Sequence, residues 1–531
     1  TVSGNQAVGS LVGSNGGLVT NSHSSADVYS SVHNGGGLVG VNTGTVSNSH
    51  ASGFVFAGAY AGGLVGTNAG TVSGSYATGT VVGNNAGGLV GDNSAGGSTI
   101  SDSYASGMVG TASNITTGGL VGSNSGTITN SYASGAVSGF SETGGLVGLD
   151  NSGTVNNSFW DTQTTGQAAS AGGTGILTAD MRKAQTFIDA GWSASNVGGD
   201  GTTWRIYEGN TGPLLRGFLT GLNLADTSVT YNGSTQAGTT TAVVGVSGSN
   251  ASARNAGSYL TGYYSNQQGY DIIGGGLDIA KANLTLSTSD VTKTYDGTLS
   301  AAGTAVATAG TALLGGDTAS GGSFAFTNKN VGTGNKTVTA AGVTVNDGNG
   351  GNNYNVSYID NTTSTIDKAN LTVTATGVTK TYDGTTSATG TGSVGTLAGA
   401  GAGEVVNTAA TQVFTDKNFG AGNKTVQASG LTIKDAGYAD VTGNYNLSYI
   451  DNTTSTINKA DLTVTATGVT KTYDGTTSAT GTGSVGALAG AGAGEVVNAA
   501  ATQVFADKNA GSGNKTVQAS GLTIKDSGNA D

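Results

Sequence analysis

Cysteine is absent from the 531-residue sequence, and Pro213 is its only proline. A chain without cysteine has no disulfide framework and no thiolate metal site. Charged residues account for only 9% of the sequence, which is too little for charge-driven disorder. No apolar run approaches the roughly 20 residues of a membrane-spanning helix, so no transmembrane segment is predicted.

Basic residues are also scarce. The 19 lysines and arginines are scattered, and the net charge is -12, whereas phosphate binding requires clustered positive charge. Nucleic acid is therefore not expected as a partner. The sequence starts at Thr1 and shows no signal peptide, and we expect it to be an internal piece of a longer protein.

Glycine is abundant, with 96 residues, about 18% against a usual share of roughly 7%. The apolar residues are mainly Val, Ala, Leu and Ile, spread through Thr, Ser, Asn and Gly. This mixture favours many short strands and tight turns, each of which buries a thin strip of core. The composition predicts an all-β fold.

A short motif recurs through residues 1–160. GGLVG or GSLVG appears six times, and its leucines are 25 to 31 residues apart: Leu11, Leu38, Leu64, Leu89, Leu120 and Leu146. A second signature follows each copy, and it carries one ring per unit: His23, His50, Tyr76, Tyr104, Tyr132 and Phe159. The 31-residue interval predicts an extra loop at 111–114.

This period predicts a β-solenoid in which each unit is one coil. One coil cannot bury its own apolar face, but stacking on the next coil does so. Rings at equivalent positions should then form a ladder along one edge. Aromatic rings next to amides are typical of carbohydrate sites, so Tyr76, Tyr104 and Tyr132 form a possible ligand edge.

Residues 161–221 differ from the repeats on both sides. Residues 178–188 have an apolar face of helical period and Thr178 at the N-cap position, which predicts one helix. We interpret this region as a segment that caps the open end of the solenoid, where a sheet edge would otherwise be exposed.

A longer repeat occupies the rest of the chain. KTYDGT occurs at 293–298, 380–385 and 471–476, and residues 371–395 and 462–486 are identical over 25 positions. Period-two alternation and the Asp-Gly turn predict small immunoglobulin-like β-sandwiches. A shorter, diverged unit with Tyr231-Asn232-Gly233 precedes them.

The predicted order is therefore a solenoid followed by tandem sandwiches. Its boundaries are 1–160 for the solenoid, 161–221 for the capping segment, 222–282 for the short module, 283–369 and 370–460 for two long repeats, and 461–531 for a third, truncated one.

Candidate chemistry is sparse. The three histidines, His23, His33 and His50, lack a nucleophile elbow, and two of them occupy the ring position of the repeats. The segment 347–352 (DGNGGN) could place oxygens around a structural calcium, although it lacks the terminal Glu of an EF-hand loop. The Lys-Tyr-Asp combination of KTYDGT could form a crosslink or a charged site, but a tyrosine packed behind an Asp-Gly hairpin is the favoured interpretation. We predict no catalytic residue, no metal site and no cofactor.

The repeats resemble those of large bacterial exoproteins. The GGLVG array is similar to the GLUG motif of filamentous-haemagglutinin-like adhesins. The segments SFWDTQTTGQ, GGTGILTADM and WRIYEGNTGPLL resemble the region that closes such arrays. The KTYDGT units are similar to YDG repeats, and residues 225–282 resemble MBG-type modules. This resemblance implies export from a Gram-negative cell by a two-partner system, with an outer-membrane transporter as partner. The lack of cysteine fits such a route, because a premature disulfide would obstruct threading.

These features lead to two hypotheses about function. In the first, the chain is a non-enzymatic stalk of an extracellular or cell-surface adhesin, and it projects a binding region toward a host-cell or matrix surface in adhesion or biofilm formation. In the second, the tyrosine edge of the solenoid is itself a carbohydrate-binding module for a host or self glycan.

Overall fold

The computed structural model describes residues 1–94, 97–111, 113 and 115–528. The chain forms two compact units, Thr1–Ala282 and Asn283–Asp531. Nearly all of the regular structure is β-strand, which confirms the predicted fold class of a β-solenoid followed by β-rich repeats. No helix among the described residues is both long and apolar enough to span a membrane.

Four parallel sheets run along the coils of the solenoid. The first contains Val2–Gly4, Val8–Gly9, Val28–Ser30, Gly35–Gly36, Val55–Gly62, Val81–Gly87, Thr116–Gly118 and Glu142–Gly144. The second contains Val12–Asn15, Val39–Asn42, Val65–Asn68, Val90–Asn93, Val121–Asn124 and Val147–Asp150. The third contains Leu18–Thr20, Thr45–Ser47, Thr71–Ser73, Thr99–Ser101, Thr127–Thr129 and Thr154–Asn156. The fourth contains His23–Ser24, His50–Ala51, Tyr76–Ala77, Tyr104–Ala105, Tyr132–Ala133, Phe159–Asp161 and Thr174–Ile176.

Equivalent residues of successive coils lie directly above one another. Val65, for example, pairs with Val39 on one side and Val90 on the other. The motif leucines from Leu38 to Leu146 are fully buried, whereas Leu11 is 53% exposed. The predicted loop at 111–114 lies outside the described residues at Ala112 and Asn114.

A buried polar ladder runs beside this apolar core. Each asparagine donates a side-chain hydrogen bond of 2.7–2.9 Å to its counterpart in the next coil: Asn15, Asn42, Asn68, Asn93, Asn124 and finally Asp150. Stacking therefore satisfies amides whose burial without partners would be costly.

The capping segment has two parts. Residues 169–176 add a partial coil to the last rung of the solenoid, since Gly145 N donates to Ala169 O at 3.0 Å and the Ser170 hydroxyl accepts from Val147 N at 2.8 Å. Residues 178–218 lie against the side of the solenoid, along the ring ladder. This second part contains short strands at Ala194–Ser195, Trp204–Arg205 and Leu214–Leu215 and a 3-10 turn at Arg216–Phe218.

The prediction of a single helix at 178–188 is wrong in detail. The chain forms α1 (Thr162–Thr165), α2 (Thr178–Met181) and α3 (Ala184–Asp189). Leu177 is the N-cap of α2, because the Thr178 hydroxyl donates to the carboxylate of Asp161 at 2.7–2.9 Å. Asp161 in turn accepts from the first backbone N–H groups of α1.

The short module follows the cap in the same unit. Its strands are Thr220–Leu224, Thr227–Thr230, Gln236–Ala237, Ser252–Ala253, Gly257–Tyr259, Tyr270–Gly274 and Leu277–Ala280. Its first two strands pair in parallel with its last two, Tyr270–Gly274 and Leu277–Ala280. Tyr231 is buried at the position that the YDG tyrosine takes in the longer repeats.

The long repeats, numbered 1 to 3 in chain order, fill the second unit. Repeat 1 has strands at Ala282–Thr288, Thr292–Thr294, Ala305–Ala307, Thr318–Phe326, Gly332–Asn346, Tyr354–Tyr358 and Asn361–Asp367. Repeat 2 has strands at Ala369–Thr374, Thr379–Thr381, Ser387–Thr391, Ser393–Val394, Val405–Thr408, Thr411–Phe414, Gly420–Ser429, Thr432–Lys434, Tyr445–Ile450 and Asn452–Asn458, with 3-10 turns at Ala400–Ala402 and Thr442–Asn444. Repeat 3 has strands at Val464–Thr465, Ser478–Thr482, Ser484–Val485, Val496–Ala499, Thr502–Phe505, Val517–Ser520 and Thr523–Lys525, with a 3-10 turn at Ala491–Ala493.

Repeat 2 shows the strand arrangement most fully. Its first strands, Ala369–Thr374 and Thr379–Thr381, pair in parallel with its last strands, Tyr445–Ile450 and Asn452–Asn458. An immunoglobulin domain has antiparallel sheets instead. Because the first and last strands run in the same direction, the chain enters a repeat at one end and leaves it at the other. The next repeat therefore follows directly after it.

Candidate functional site

The joints between the long repeats are where the repeated motif residues meet. Only Lys368 separates the last strand of repeat 1, Asn361–Asp367, from the first strand of repeat 2, Ala369–Thr374. The YDG turn of repeat 1 lies beside this crossing, since Tyr295 N donates to Asp367 O at 2.8 Å. We therefore take the joint as the candidate functional site of a repeat protein.

Local hydrogen bonds fix the YDG turn. The carboxylate of Asp296 accepts from Thr298 N at 2.9 Å and from the Lys293 ammonium at 2.7 Å. The same ammonium donates to the Thr298 and Ser300 carbonyls and lies 5.5 Å from the ring centre of Phe326. The turn is thus a closed local structure, and the tyrosine side chain projects from it.

Tyr295 projects into the following repeat. It is 1% exposed, and its hydroxyl donates to the carboxylate of Glu404 in repeat 2. Glu404 is 3% exposed and also accepts from the Tyr445 hydroxyl at 2.5 Å, while the two tyrosine rings meet edge to face at 5.6 Å. One buried carboxylate therefore joins a tyrosine of repeat 1 to a tyrosine of repeat 2.

Both tyrosines are kept protonated by this arrangement. Burial, together with the neighbouring carboxylate of Glu404, raises the pKa of Tyr445 to about 12. The same two causes raise the pKa of Tyr295 above its usual range. A protonated hydroxyl can donate to the carboxylate, whereas a phenolate would repel it.

The glycine of the YDG turn makes a backbone contact across the joint. Gly297 has a φ of +75°, and a Cβ there would lie 2.9 Å from Gly399 Cα and 3.0 Å from the Ala402 side chain. At the second joint, Gly384 has the same relation to Gly490 and Ala493, at 2.8 and 2.9 Å. Only glycine fits both the left-handed backbone and the close approach.

Polar contacts surround this core. At the first joint, Lys329 pairs with Asp435 at 3.1 Å, and the Asn444 side chain bonds to Val331 N and to the Asn330 side chain, both at 3.0 Å. At the second joint, the equivalent lysine, Lys417, pairs with Asp526 at 3.1 Å. The two joints therefore share the glycine contact and the lysine–aspartate pair.

Tyr295 does not pack behind its own Asp-Gly hairpin, as the sequence predicts; its side chain is buried in the next repeat, against Glu404. The signal in the sequence was the recurrence of LAGAGAGE at 397–404 and 488–495, because this segment supplies the glycine, the alanine and the glutamate that meet the incoming turn.

The predicted ring ladder is present in the solenoid. Neighbouring rings from His23 to Tyr132 stack at 4.8–5.1 Å with interplanar angles of 4–7°. The structure places Tyr76, Tyr104 and Tyr132, the possible ligand edge, under the capping segment, where each is 3–4% exposed. A sugar could stack on them only after the capping segment had moved away.

The capping segment contacts the ladder through its own aromatic residues. The ring centre of Trp204 lies 5.9 Å from that of Tyr132 and 6.3 Å from that of Tyr104. The ring of Phe218 meets that of Tyr76 edge-on, with 4.9 Å between ring centres. The Tyr132 hydroxyl donates to Pro213 O at 2.7 Å. Burial raises the pKa of each ladder tyrosine above its usual range.

The other candidate groups have structural partners. Both carboxylate oxygens of Asp347, in the calcium-like segment, accept backbone N–H groups, from Asn349 and Gly351 on one oxygen and Asn353 on the other, all at 2.8 Å. His23 and His50 are ladder rings. In the part of the chain that the structure describes, no group of three or more His, Cys, Asp or Glu side chains is placed to hold a metal ion.

Comparisons with known proteins give one match, in the C-terminal half of the chain. A family model described as the YDG domain matches residues 280–364, 367–455 and 458–531. No curated protein and no solved structure matches the chain. The YDG-domain model thus matches three times in tandem through nearly all of residues 280–531.

Proposed function

We propose that this chain is a structural stalk, a passenger fragment of a large secreted bacterial surface adhesin of the filamentous-haemagglutinin type. In this role it projects a binding region from the cell and so mediates cell adhesion or biofilm formation. The observation that carries the proposal is the first joint: Tyr295, the tyrosine of the first YDG turn, is buried in the following repeat, so the motif there connects one copy to the next.

Both units hold their copies together by nearest-neighbour contacts. In the solenoid these contacts are the parallel ladders, the asparagine ladder and the stacked rings. In the YDG array they are the Tyr295–Glu404 contact and the Lys329–Asp435 pair. In such an array each copy is stabilised by contacts with its neighbours, and a chain held together in this way can serve as a stalk.

The remaining parts of the proposal rest on the resemblance of the GGLVG array and of the short module. The chain acts outside the cell or on its surface, has no enzymatic activity and needs no cofactor. Its partners are an outer-membrane transporter of a two-partner system during export, and a host-cell or matrix surface, including glycans, at the distal end of the adhesin. The absence of cysteine supports an exported chain that stays free of disulfides.

Two measurements test this function. Antibodies raised against the 531-residue chain should label intact cells of the bacterium that encodes it; labelling only after the cells are permeabilised would overturn the surface location. Single-molecule stretching of the full chain should give a series of separate unfolding events, including events of one repeat each. Release of the whole chain in one weak event would contradict a load-bearing role.

The carbohydrate-binding alternative has a separate test. Tyr104→Ala and Tyr132→Ala variants should leave any glycan binding by the full chain unchanged, because the capping segment covers both rings. Specific glycan binding that is lost in these variants would move the function to the tyrosine edge.

A further inference from the structure

Three aromatic rings lie together on the outer face of the first solenoid sheet. Phe56 pairs with Tyr29 across neighbouring strands, and the ring centres of Tyr29 and Phe54 are 5.6 Å apart at an interplanar angle of 44°. Tyr29 is 41% exposed and Phe56 is 39% exposed. The ring ladder is covered by the capping segment, whereas this aromatic platform (Tyr29, Phe54 and Phe56) keeps two of its rings open to solvent.

The platform belongs to the face of the sheet and not to its edge. The strand Val28–Ser30, which carries Tyr29, is paired on both sides, and so is Val55–Gly62, which carries Phe56. Successive side chains of a strand point to opposite faces, and Val28 is accordingly fully buried beside the exposed Tyr29. The rings are therefore exposed by the alternation of the strands, and this exposure does not depend on what lies along the edges of the sheet.

Polar groups surround the platform. A surface depression of about 440 Å³ is lined by Ser3, Gly4, Asn5, Tyr29, Ser31 and Phe56. The Ser31 hydroxyl donates to the side-chain oxygen of Asn5 at 2.7 Å, which holds the Asn5 amide in place. The amino group of an asparagine has two N–H donors, and hydroxyl groups both donate and accept. The depression thus combines an apolar ring surface with hydrogen-bond donors and acceptors.

The charge of the solenoid indicates an uncharged ligand. Residues 1–160 contain no lysine and no arginine, the side chains that bind phosphate and carboxylate groups most strongly. The carboxylate of Asp27 lies beside the platform, where it accepts from Phe54 N at 3.0 Å. An acidic glycan, a nucleic acid or a phospholipid headgroup would therefore meet negative charge without a cation to pair with.

The size of the platform favours a small ligand over a protein. A stable protein–protein interface buries about 800 Å² on each side. In the row of outward positions, Tyr29 and Phe56 are flanked by Ser3 and Val82, so the rings occupy only two coils. Strands about 4.8 Å apart place the two rings as a surface of roughly one or two sugar units. A sugar ring has a face of C–H groups that stacks on an aromatic ring, and hydroxyls that donate and accept hydrogen bonds.

We propose that the aromatic platform and the depression beside it bind a neutral glycan. The sugar stacks on Tyr29 and Phe56, and its hydroxyls bond to Asn5, Ser3 and Ser31. This site lies on the stalk itself and is separate from the buried tyrosine edge. Failure to bind sugars would leave the surface-labelling and stretching results unaffected, so this proposal and the proposed stalk function can fail independently.

The experiment uses the full chain and an immobilised panel of neutral oligosaccharides, built from hexoses and N-acetylhexosamines, together with sialylated and sulfated forms of the same cores. Neutral members should bind saturably, and their acidic forms should bind no more tightly. Calorimetry with the neutral oligosaccharide that binds best should give the same Kd at low and high salt, because no ion pair contributes.

Variants of the chain locate the site. Tyr29→Ala and Phe56→Ala should each weaken binding about tenfold, because each removes a stacking surface. Asn5→Ala should weaken binding while both rings stay in place. The matched control is Phe140→Ala, since Phe140 is an exposed ring of the same solenoid outside the depression, and its Kd should equal that of the unaltered chain. Thermal melts of all four variants should match the unaltered chain, because the replaced side chains are exposed.

The proposal is wrong if no neutral member of the panel binds, or if only acidic members bind. It is also wrong if Tyr29→Ala and Phe56→Ala leave the Kd unchanged, or if Phe140→Ala weakens binding as much as they do. Binding that is lost in Tyr104→Ala but kept in the platform variants would place the sugar on the ring ladder instead.

Discussion

Replacement of Glu404 by alanine tests the central feature of the YDG joint. The carboxylate is 3% exposed and accepts hydrogen bonds from Tyr295 in repeat 1 and Tyr445 in repeat 2. Glu404→Ala leaves both hydroxyls in place without their acceptor. Because both tyrosines are themselves buried, solvent cannot readily replace the lost partner.

The expected cost follows from the two hydroxyl donors that are left without an acceptor. A buried polar group that loses its partner destabilises a protein by about 1–3 kcal/mol. Removal of the carboxylate also relieves its own desolvation, so we expect a total of about 3 kcal/mol rather than the full sum. Tyr295→Phe removes only the hydroxyl that crosses the joint and should cost about 1–2 kcal/mol.

Urea denaturation followed by hydrogen exchange and mass spectrometry can measure this loss repeat by repeat. Fragments from 318–346 report on repeat 1 and fragments from 436–450 report on repeat 2, since both sequences occur once in the chain. Urea m-values of small domains are about 1–3 kcal/mol per molar, so a loss of 3 kcal/mol corresponds to a midpoint shift of about 1–3 M.

Glu495→Ala is the matched control. Glu495 occupies the equivalent position in repeat 3, but it is only half-buried. Its replacement should cost about 1 kcal/mol or less. Equal losses for the two variants, or a Glu404→Ala shift in repeat 2 with none in repeat 1, would refute the argument that this carboxylate couples the repeats.

Three further predictions concern the joint and the solenoid. Gly297→Ala should lower the stability of repeats 1 and 2 by about 2 kcal/mol more than Gly334→Ala. Both glycines have a positive φ, but only Gly297 closely approaches the next repeat. Equal urea midpoints for the two variants would contradict this prediction. Asn68→Ala should destabilise the solenoid by about 2–3 kcal/mol in thermal melts, since two ladder neighbours lose a partner, and the exposed Asn84→Ala should change it by less than about 0.5 kcal/mol. The folded pKa of Tyr445 is raised to about 12, so its contribution to stability is fully present below pH 10, the unfolded value, and is lost as the pH rises toward 12; a Tyr445→Phe variant that loses stability equally over this range would refute that assignment.

The sequence alone was sufficient for the architecture of the solenoid. The spacing of the motif leucines and rings predicted coils that stack in register, and the structure pairs His50 with Tyr76 and Tyr76 with Tyr104 as expected. A period is a local, repeated signal, and in a solenoid each coil contacts only its neighbours. The position of a residue within its coil therefore predicts which residues of the neighbouring coils it contacts.

Features outside the repeats could not be predicted from a repeat period, and tertiary contacts determine them. Thr178 has the residue type of an N-cap, but the carboxylate of Asp161 takes its hydroxyl, and two short helices replace the expected one. The ring ladder could be predicted, but its burial could not, because Trp204 and Phe218 come from a segment without repeats. Side chains that are distant in sequence compete for the same hydrogen-bonding or packing partner, and sequence patterns do not show which of them forms the contact.

At the YDG joint, one part of the arrangement follows from the sequence and the other only from the tertiary structure. The sequence determined that a tyrosine and a glutamate recur in every long copy that has the LAGAGAGE segment. Which copy receives the tyrosine was decided only by the tertiary structure, since repeats of identical sequence allow the same contact within one repeat or between two. In the first joint the contact is made between copies, because the Tyr295 hydroxyl of repeat 1 donates to the buried carboxylate of Glu404 in repeat 2. Burial strengthens this hydrogen bond, since its surroundings exclude water.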